Sequence, residues 1–211
     1  MPKKIYLFAT SKNENTINIK SLEVRFLKPF INFLDYDYLI VTSKQTVKAL
    51  EQYNKEDFIA TETLCVSQKT AVAYENFGGK VLAVGDGYGD NLTEFIEKFP
   101  KDTKWLYLRA ELIASDFVQK SRDSGYLIDE EILYVSECSQ EILDVRINDD
   151  STLIFTSPSS ISCFLKNNTL HKDAKIVVIG KTTAQELPDG TDFYISKATS
   201  IESCVELALT L

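Results

Sequence analysis

The chain has 211 residues, 44% of them hydrophobic and 26% charged, with 23 basic against 31 acidic side chains and a net charge of −8. That length suits one large or two small domains, and the composition excludes a disordered chain or a fibrous repeat. The acidic balance, with no Lys/Arg cluster, excludes the basic footprint of a nucleic-acid binder.

Met1-Pro2-Lys3-Lys4 leads straight into Ile5–Phe8 and then polar residues, so the apolar core of a signal peptide is missing. Apolar runs such as Leu39–Val41 and Ile176–Ile179 fall far short of the roughly 18 residues of a membrane span. A soluble, cytoplasmic protein with no membrane partner is expected. Strands are expected at Ile5–Ala9, Tyr38–Thr42, Thr63–Val66, Lys80–Val84, Trp105–Leu108, Leu153–Thr156, Lys175–Ile179 and Asp192–Ile195. These runs are apolar without strict alternation, which suits strands buried on both faces of a parallel sheet. Helices are expected at Gln45–Gln52, Lys69–Phe77, Asn91–Phe99, Glu111–Ser124, Ser159–Lys166, Thr182–Leu187 and Ile201–Leu209. The alternation predicts an α/β fold with right-handed crossovers.

An internal repeat organises the chain. Leu39-Ile40-Val41-Thr42-Ser43 reappears as Leu153-Ile154-Phe155-Thr156-Ser157, an offset of 114 residues. Thr70-Ala71 recurs as Thr183-Ala184, at an offset of 113. Leu92–Phe99 has its counterpart in Ile201–Leu209, and Lys4–Ala9 is similar to Lys104–Arg109, though one segment is first in its half and the other last. Two similar lobes follow, with the N-terminal strand belonging to the C-terminal lobe. Residues 1–20 with 140–211 would form a discontinuous α/β lobe, and residues 28–130 an inserted one. The extended segments 19–27 and 131–139 would join them as a two-stranded antiparallel ladder, leaving a cleft as the default ligand site.

Ligands of open α/β sheets collect at the carboxyl ends of strands, where helix starts present unpaired N–H groups. Those ends read Thr42-Ser43-Lys44-Gln45, Ser67-Gln68-Lys69-Thr70, Gly85-Asp86-Gly87-Tyr88-Gly89, Thr156-Ser157-Pro158-Ser159-Ser160 and Gly180-Lys181-Thr182-Thr183. Small hydroxyl residues beside a lysine at a helix start suit an anion. Taken singly, Ser157, Ser159, Thr70 and Thr182 read better as plain helix caps; their occurrence as two repeated pairs shifts the balance towards an anion cleft.

Two phosphate motifs fail on spacing. The Gly180-Lys181-Thr182 run would need glycine at position 175, which is Lys175, and Gly85–Gly89 is GxGxG rather than GxGxxG. A flavin or nucleotide module therefore ranks low. Cys65, Cys138, Cys163 and Cys204 are scattered and His171 is the single histidine, which argues against a zinc site and against a histidine-based nucleophile. His171 receives no role. Arg109, at the end of its strand, suits bidentate carboxylate binding or a salt bridge with Glu111, and Tyr134 lies on the second extended segment.

The paired segments at Leu39–Ser43 and Leu153–Ser159, the helix start Gly180-Lys181-Thr182-Thr183-Ala184, and Tyr134 on a linker strand resemble uroporphyrinogen-III synthases over nearly the whole chain, Ile5 to Leu209. The resemblance implies two flavodoxin-like lobes joined by a two-stranded ladder. Such enzymes take hydroxymethylbilane, a linear tetrapyrrole, and close it to uroporphyrinogen III with loss of water and inversion of ring D, using no cofactor or metal. By position, their product-contacting hydroxyls fall on Ser157, Thr182 and Thr183, with Ser43 and Thr70 as counterparts in the other lobe. Tyr134 matches the tyrosine held to assist departure of the hydroxyl. Lys44, Lys69 and Lys181 would add cations at helix starts, with Ser159 and Arg109 completing the substrate-binding set.

The chain departs from the family pattern in two places. Phe8-Ala9-Thr10-Ser11 replaces an Arg-Pro, and the Asn-rich stretch Lys12–Asn18 is too short for the usual helix, so one flank of its lobe would be exposed or rebuilt. Arg109 is followed by Ala110 where glycine is common, and Ser115 sits near a frequent arginine position. A monomer is expected. The competing reading is a two-lobe protein that binds a small polyacid without catalysis.

Overall fold

Continuous apolar runs make the strands, and mixed-polarity runs opened by small hydroxyl residues make the helices. The computed structural model describes residues 3–113 and 115–211. In chain order the elements are β1 (Ile5–Ala9), β2 (Ile17–Lys20), β3 (Leu22–Phe26), β4 (Tyr38–Val41), α1 (Lys44–Leu50), β5 (Glu62–Cys65), α2 (Gln68–Phe77), β6 (Lys80–Val84), α3 (Leu92–Ile96) and β7 (Lys104–Ala110). They continue with α4 (Phe117–Asp123), β8 (Leu127–Cys138), α5 (Gln140–Asp144), β9 (Thr152–Phe155), α6 (Pro158–Leu165), β10 (Lys175–Val178), α7 (Lys181–Ala184), β11 (Phe193–Ile195) and α8 (Ile201–Ala208). No helix among the described residues is long and apolar enough to cross a membrane.

The chain divides into two compact units, Met1–Glu23 with Glu137–Leu211, and Val24–Ser136. One sheet has the order β11-β10-β9-β1-β2 and the other β3-β8-β7-β4-β5-β6. The ladders within β11-β10-β9-β1-β2 and within β8-β7-β4-β5-β6 are all parallel, which gives an α/β fold with two parallel-dominated sheets. Strand for strand, β11-β10-β9-β1-β2 repeats β6-β5-β4-β7-β8, with β3 as an added edge.

The registers carry the repeat down to single residues. Leu153 lies opposite Tyr6 and Ile176, and Leu39 lies opposite Leu106 and Thr63. The offsets read from short sequence matches are therefore the offsets of the ladders. The segments at 19–27 and 131–139 fall on β2, β3 and the second half of β8. β8 starts at Leu127 as a partner of β7 and runs on to Cys138, so the extended segment reaches further back than its sequence suggests. Leu27 N–H donates to the Leu133 carbonyl at 2.8 Å, and Ser139 N–H to the Ser21 carbonyl at 3.2 Å.

Both faces of each sheet are covered, which explains the unbroken apolar strands. In the first unit Tyr6, Phe8, Leu153 and Phe155 pack with Ile142 of α5 and Ile161 and Phe164 of α6. The Phe8 ring lies 4.8 Å from Phe155 and 5.1 Å from Phe164. On the other face Leu7, Ile154 and Val177 meet Cys204, Val205 and Ala208 of α8. In the second unit Leu39, Val41, Leu106 and Leu108 pack against α1 and α2, while Ile40, Leu64, Trp105 and Tyr107 pack against α3 and α4. Each such side chain contributes about 1.5–3 kcal/mol by leaving water.

Several elements differ from their expected extents. The helix expected over Glu111–Ser124 begins at Phe117, because Glu111 N–H continues the strand pairing by donating to the Tyr134 carbonyl at 2.9 Å. The helix expected over Asn91–Phe99 keeps α geometry only to Ile96; Lys98 and Phe99 then bond back three residues, tightening the turn before Pro100. The helix expected to run to Leu187 stops at Ala184, since Leu187 precedes Pro188. The short helix α5 was not expected; its signal is Ser139, whose hydroxyl accepts from Ile142 N–H at 3.3 Å. Cys138 and Cys163, separated by 25 residues, form a disulfide tying the end of β8 to α6, while Cys65 and Cys204 are buried thiols.

Candidate functional site

The sequence-predicted residues form two groups, one per unit, each along the carboxyl edge of its own sheet. In the first unit β9 hands over to α6 through Thr156 and Ser157. Thr156 Oγ1 donates to the Phe8 carbonyl at 3.0 Å, holding the neighbouring strand ends level. Ser157 is extended (φ −160°, ψ 157°), and its hydroxyl accepts from Ser160 N–H at 3.2 Å. Ser160 Oγ in turn accepts from Ser157 N–H at 3.3 Å, closing a capping box ahead of Pro158 at the first turn. Ser159 stands exposed.

Next to it, β10 hands over to α7 through Gly180, which is also extended and offers no side-chain cap. The first turn of α7 is thus open where that of α6 is closed. Lys181 and Thr182 are exposed, whereas Thr183 is 3% exposed and sits in the packing. Ser157, Ser159, Lys181, Thr182 and Thr183 therefore share one edge, since β9 and β10 run in parallel register.

In the second unit Ser43 caps α1 by accepting from Gln45 N–H at 3.1 Å, with Lys44 exposed beside it. Ser67 caps α2; Thr70 N–H and the Thr70 hydroxyl both lie against Ser67 Oγ, at 3.4 and 3.2 Å. Thr70 is buried, and Lys69 before it is exposed. Ser67 itself, named above only as part of the strand end, is half-buried.

Further along the same edge lie the end of β7 and the stretch of β8 where its pairing with β7 stops. A bulge at Arg109/Ala110 sets Arg109 opposite Ile132 and Ala110 opposite Tyr134. An extra residue in β8 re-aims the strand at this point, and Tyr134 there is 8% exposed. Arg109 is not free to take a ligand carboxylate by itself. Its Nε lies 2.8 Å from Glu130 Oε1, and its NH1 donates to the Ala110 and Glu111 carbonyls at 2.8 Å each. The salt-bridge partner is Glu130 on β8, not Glu111. Arg122 of α4 binds the other Glu130 oxygen at 2.8 Å, so one carboxylate braces two guanidinium groups.

Sequence reasoning missed the pair Thr42 and Tyr107. The Thr42 hydroxyl and the Tyr107 phenol are 2.9 Å apart, and Arg109, Tyr134 and Glu130 act electrostatically on Tyr107. Burial pushes the Tyr107 phenol up from its ordinary value, opposed by the Thr42 hydrogen bond and the Arg109 charge, so it stays protonated at neutral pH. The only sequence signal was an aromatic at every second position of Trp105-Leu106-Tyr107, which reads as packing.

The arrangement supplies hydroxyls, backbone N–H groups and a few lysines for an anionic ligand, with buried phenols at the edge of the second sheet. Among the described residues no three His, Cys, Asp or Glu side chains are grouped to hold a metal. His171 lies apart, 3.2 Å from Asp149. A hollow of about 470 Å³, lined by Tyr36, Lys104, Arg122 and Asp129 among others, opens at the opposite, amino ends of β7 and β8.

The model of the family uroporphyrinogen-III synthase HemD matches residues 14–206. No curated protein matches the chain by sequence. Among solved structures, the uroporphyrinogen-III synthetase of Helicobacter pylori is similar with a TM-score of 0.75 and 24% identity, covering 99% of each chain. A variant of uroporphyrinogen III synthase from Thermus thermophilus gives a TM-score of 0.57 at 14% identity, again over 99% of each chain. At these identities the two structures speak for the fold.

Proposed function

The chain belongs to the uroporphyrinogen-III synthase family, hydro-lyases of haem biosynthesis, and we propose that its own residues perform that reaction as follows. Hydroxymethylbilane loses water and closes to uroporphyrinogen III with ring D inverted. The observation that carries this reading is the family match over residues 14–206; the two hydroxyl-lined sheet edges support it chemically.

The substrate class carries eight carboxylates, while the protein's net charge is −8. Long-range repulsion follows, screened by salt within about 10 Å. Binding then rests on local dipoles: open N–H groups and the Thr182 hydroxyl at the uncapped start of α7, the starts at Ser157 and Ser159, and Ser43 and Thr70 with Ser67. Lys44, Lys69 and Lys181 add charge at the same starts. Each such contact is worth roughly 0.3–2 kcal/mol, so the grip depends on their number.

The bilane's pyrroles are themselves reactive, and its hydroxyl leaves with modest acid assistance. The protein's task is to hold the chain curled so that the substituted carbon of ring D is attacked rather than the free one. Such positioning can contribute about 7–11 kcal/mol. Tyr134 donates a hydrogen bond to the departing hydroxyl or steadies the cation left behind. Arg109, held by Glu130, keeps the end of β7 in place beside it. The protein acts in the cytoplasm as a monomer in this reading.

The test is the product isomer. Without an enzyme hydroxymethylbilane closes to the I isomer, so formation of the III isomer by purified protein supports the reading. Binding of the bilane with only the I isomer formed would replace it with a non-catalytic polyacid binder.

A further inference from the structure

In the second unit, β7 and its parallel neighbour β8 are joined by residues 111–126, which include α4. The equivalent strands of the first unit, β1 and β2, are joined by residues 10–16 alone, with no helix. A parallel crossover normally takes about a dozen residues or more, usually with a helix. The short path is held instead by a polar knot. Asn13 N–H donates to Asn18 Oδ1 at 2.8 Å, Asn18 Nδ2 returns to the Asn13 carbonyl at 2.8 Å, and the Thr16 hydroxyl donates to the Asn13 carbonyl at 3.1 Å.

Where the crossover runs, a hollow of about 580 Å³ opens at the carboxyl ends of β1 and β2, lined by Thr10, Ser11, Lys12, Asn18, Lys20 and Glu141 among others. Both lysines are exposed, and among the described residues neither enters an ion pair. The one carboxylate in the lining, Glu141, is turned to the backbone: its Oε2 accepts from Lys20 N–H at 3.0 Å. The register Phe8 to Ile19 and Phe8 to Phe155 puts this hollow on the same sheet edge as Ser157, with Lys181 and Thr182 one strand beyond.

We propose that the hollow at Lys12 and Lys20 is a further subsite for the carboxylate side chains of the substrate, created by the replacement of a crossover helix with the Asn13–Asn18 turn. The proposal rests on the synthase reading, since it extends the row of anion contacts along the edge of the first sheet. Two unpaired ammonium groups beside the Thr10 and Ser11 hydroxyls match a pair of short carboxylate arms. The rest of that edge provides hydroxyls with Lys181 and, past the end of β11, Lys197. Through this subsite an acidic protein holds a polyanion without a basic patch that would attract other polyanions.

The experiment compares steady-state kinetics and product isomer for wild type, Lys12→Gln with Lys20→Gln, Lys12→Arg with Lys20→Arg, and the surface control Lys172→Gln near the opposite end of β10. The glutamine pair raises KM by about three- to tenfold with kcat nearly unchanged, the III isomer retained, and a weaker dependence of KM on salt. The arginine pair and the control keep the wild-type KM. An unchanged KM in a folded glutamine pair, with wild type still forming the III isomer, overturns the subsite alone. If the glutamine pair fails to fold, a raised KM in the arginine pair overturns it instead. Wild type forming only the I isomer overturns the synthase reading, and the subsite with it.

Discussion

Replacing Ser157 by aspartate separates helix capping from ligand binding, because aspartate caps as well as serine but carries charge. The Ser157 hydroxyl accepts from Ser160 N–H at 3.2 Å at the start of α6. Ser157→Ala removes that acceptor and costs about 1 kcal/mol, within the 0.5–2 kcal/mol typical of lost caps. In a chain of this size that lowers Tm by about 2–4 °C. Ser157→Asp keeps the acceptor and adds about 0.3–1 kcal/mol of favourable charge–dipole energy at the helix start. A substrate carboxylate bound at this start would lie some 4–5 Å from the new charge, a repulsion of about 3–4 kcal/mol at an effective dielectric of ~20. Solvent screening and adjustment of a flexible substrate cut this to about 2 kcal/mol, or roughly 30-fold in kcat/KM. Thermal unfolding and isomer-resolved kinetics on both variants read the two effects apart. Ser157→Asp with wild-type Tm and wild-type kcat/KM would refute an anion at α6 and leave Ser157 a cap alone.

Other expectations follow from burial and bonding. Tyr134→Phe keeps the fold, as near-ultraviolet circular dichroism checks, and lowers turnover about a hundredfold; full activity would remove Tyr134 from the chemistry. Thr182→Ala raises KM and leaves the urea midpoint within error, whereas Thr183→Ala, at a side chain 3% exposed, costs about 1–2 kcal/mol of stability. Burial raises the Cys65 thiol and the Tyr53 phenol each to about 12, and burial with the Asp129 hydrogen bond does the same to Tyr36. These groups hold their protons more tightly folded than unfolded, so their contribution is intact below about pH 9 and is lost as pH rises towards 12. Urea midpoints of the second unit should hold from pH 8 to about 9 and then fall towards pH 11, and a profile flat to pH 11 would contradict the assignment. Reducing the Cys138–Cys163 bridge, which closes a 25-residue loop, should destabilise the first unit by about 3 kcal/mol, measured by urea unfolding with and without reductant.

Local chemistry made much of the architecture legible. Strands buried on both faces must be apolar throughout, so β4 and β9 stand out as Leu39–Val41 and Leu153–Phe155, and the duplicated halves carry matching runs because matching strands occupy matching slots in the two sheets. Helix starts were visible for a similar reason: Ser43, Ser67 and Ser157 cap through bonds spanning two or three residues, and such short-range bonds leave a mark in the sequence. α5 was missed, and the start of β2 with it, because Gln140–Asp144 and Ile17–Lys20 are too short to show a period.

The candidate site divides along the same line. That Ser157 and Thr182 stand just past strand ends followed from their places in the repeat, and that Tyr134 lies on an extended segment followed from the β-compatible run around it. That Thr70 and Thr183 turn inward, that Arg109 is held by Glu130 21 residues away, and that Tyr107 bonds Thr42 across 65 residues did not. Nor did the pairing of Cys138 with Cys163, or the hollow beside Lys12 and Lys20. Hydrophobic period and cap chemistry depend on residues within a turn or two of one another, so the amino-acid order alone determined the elements and their duplication. Side-chain direction at a bulge, the partner of a charge and the gap left by an absent helix depend on which distant strands become neighbours, and only the folded sheets decide that.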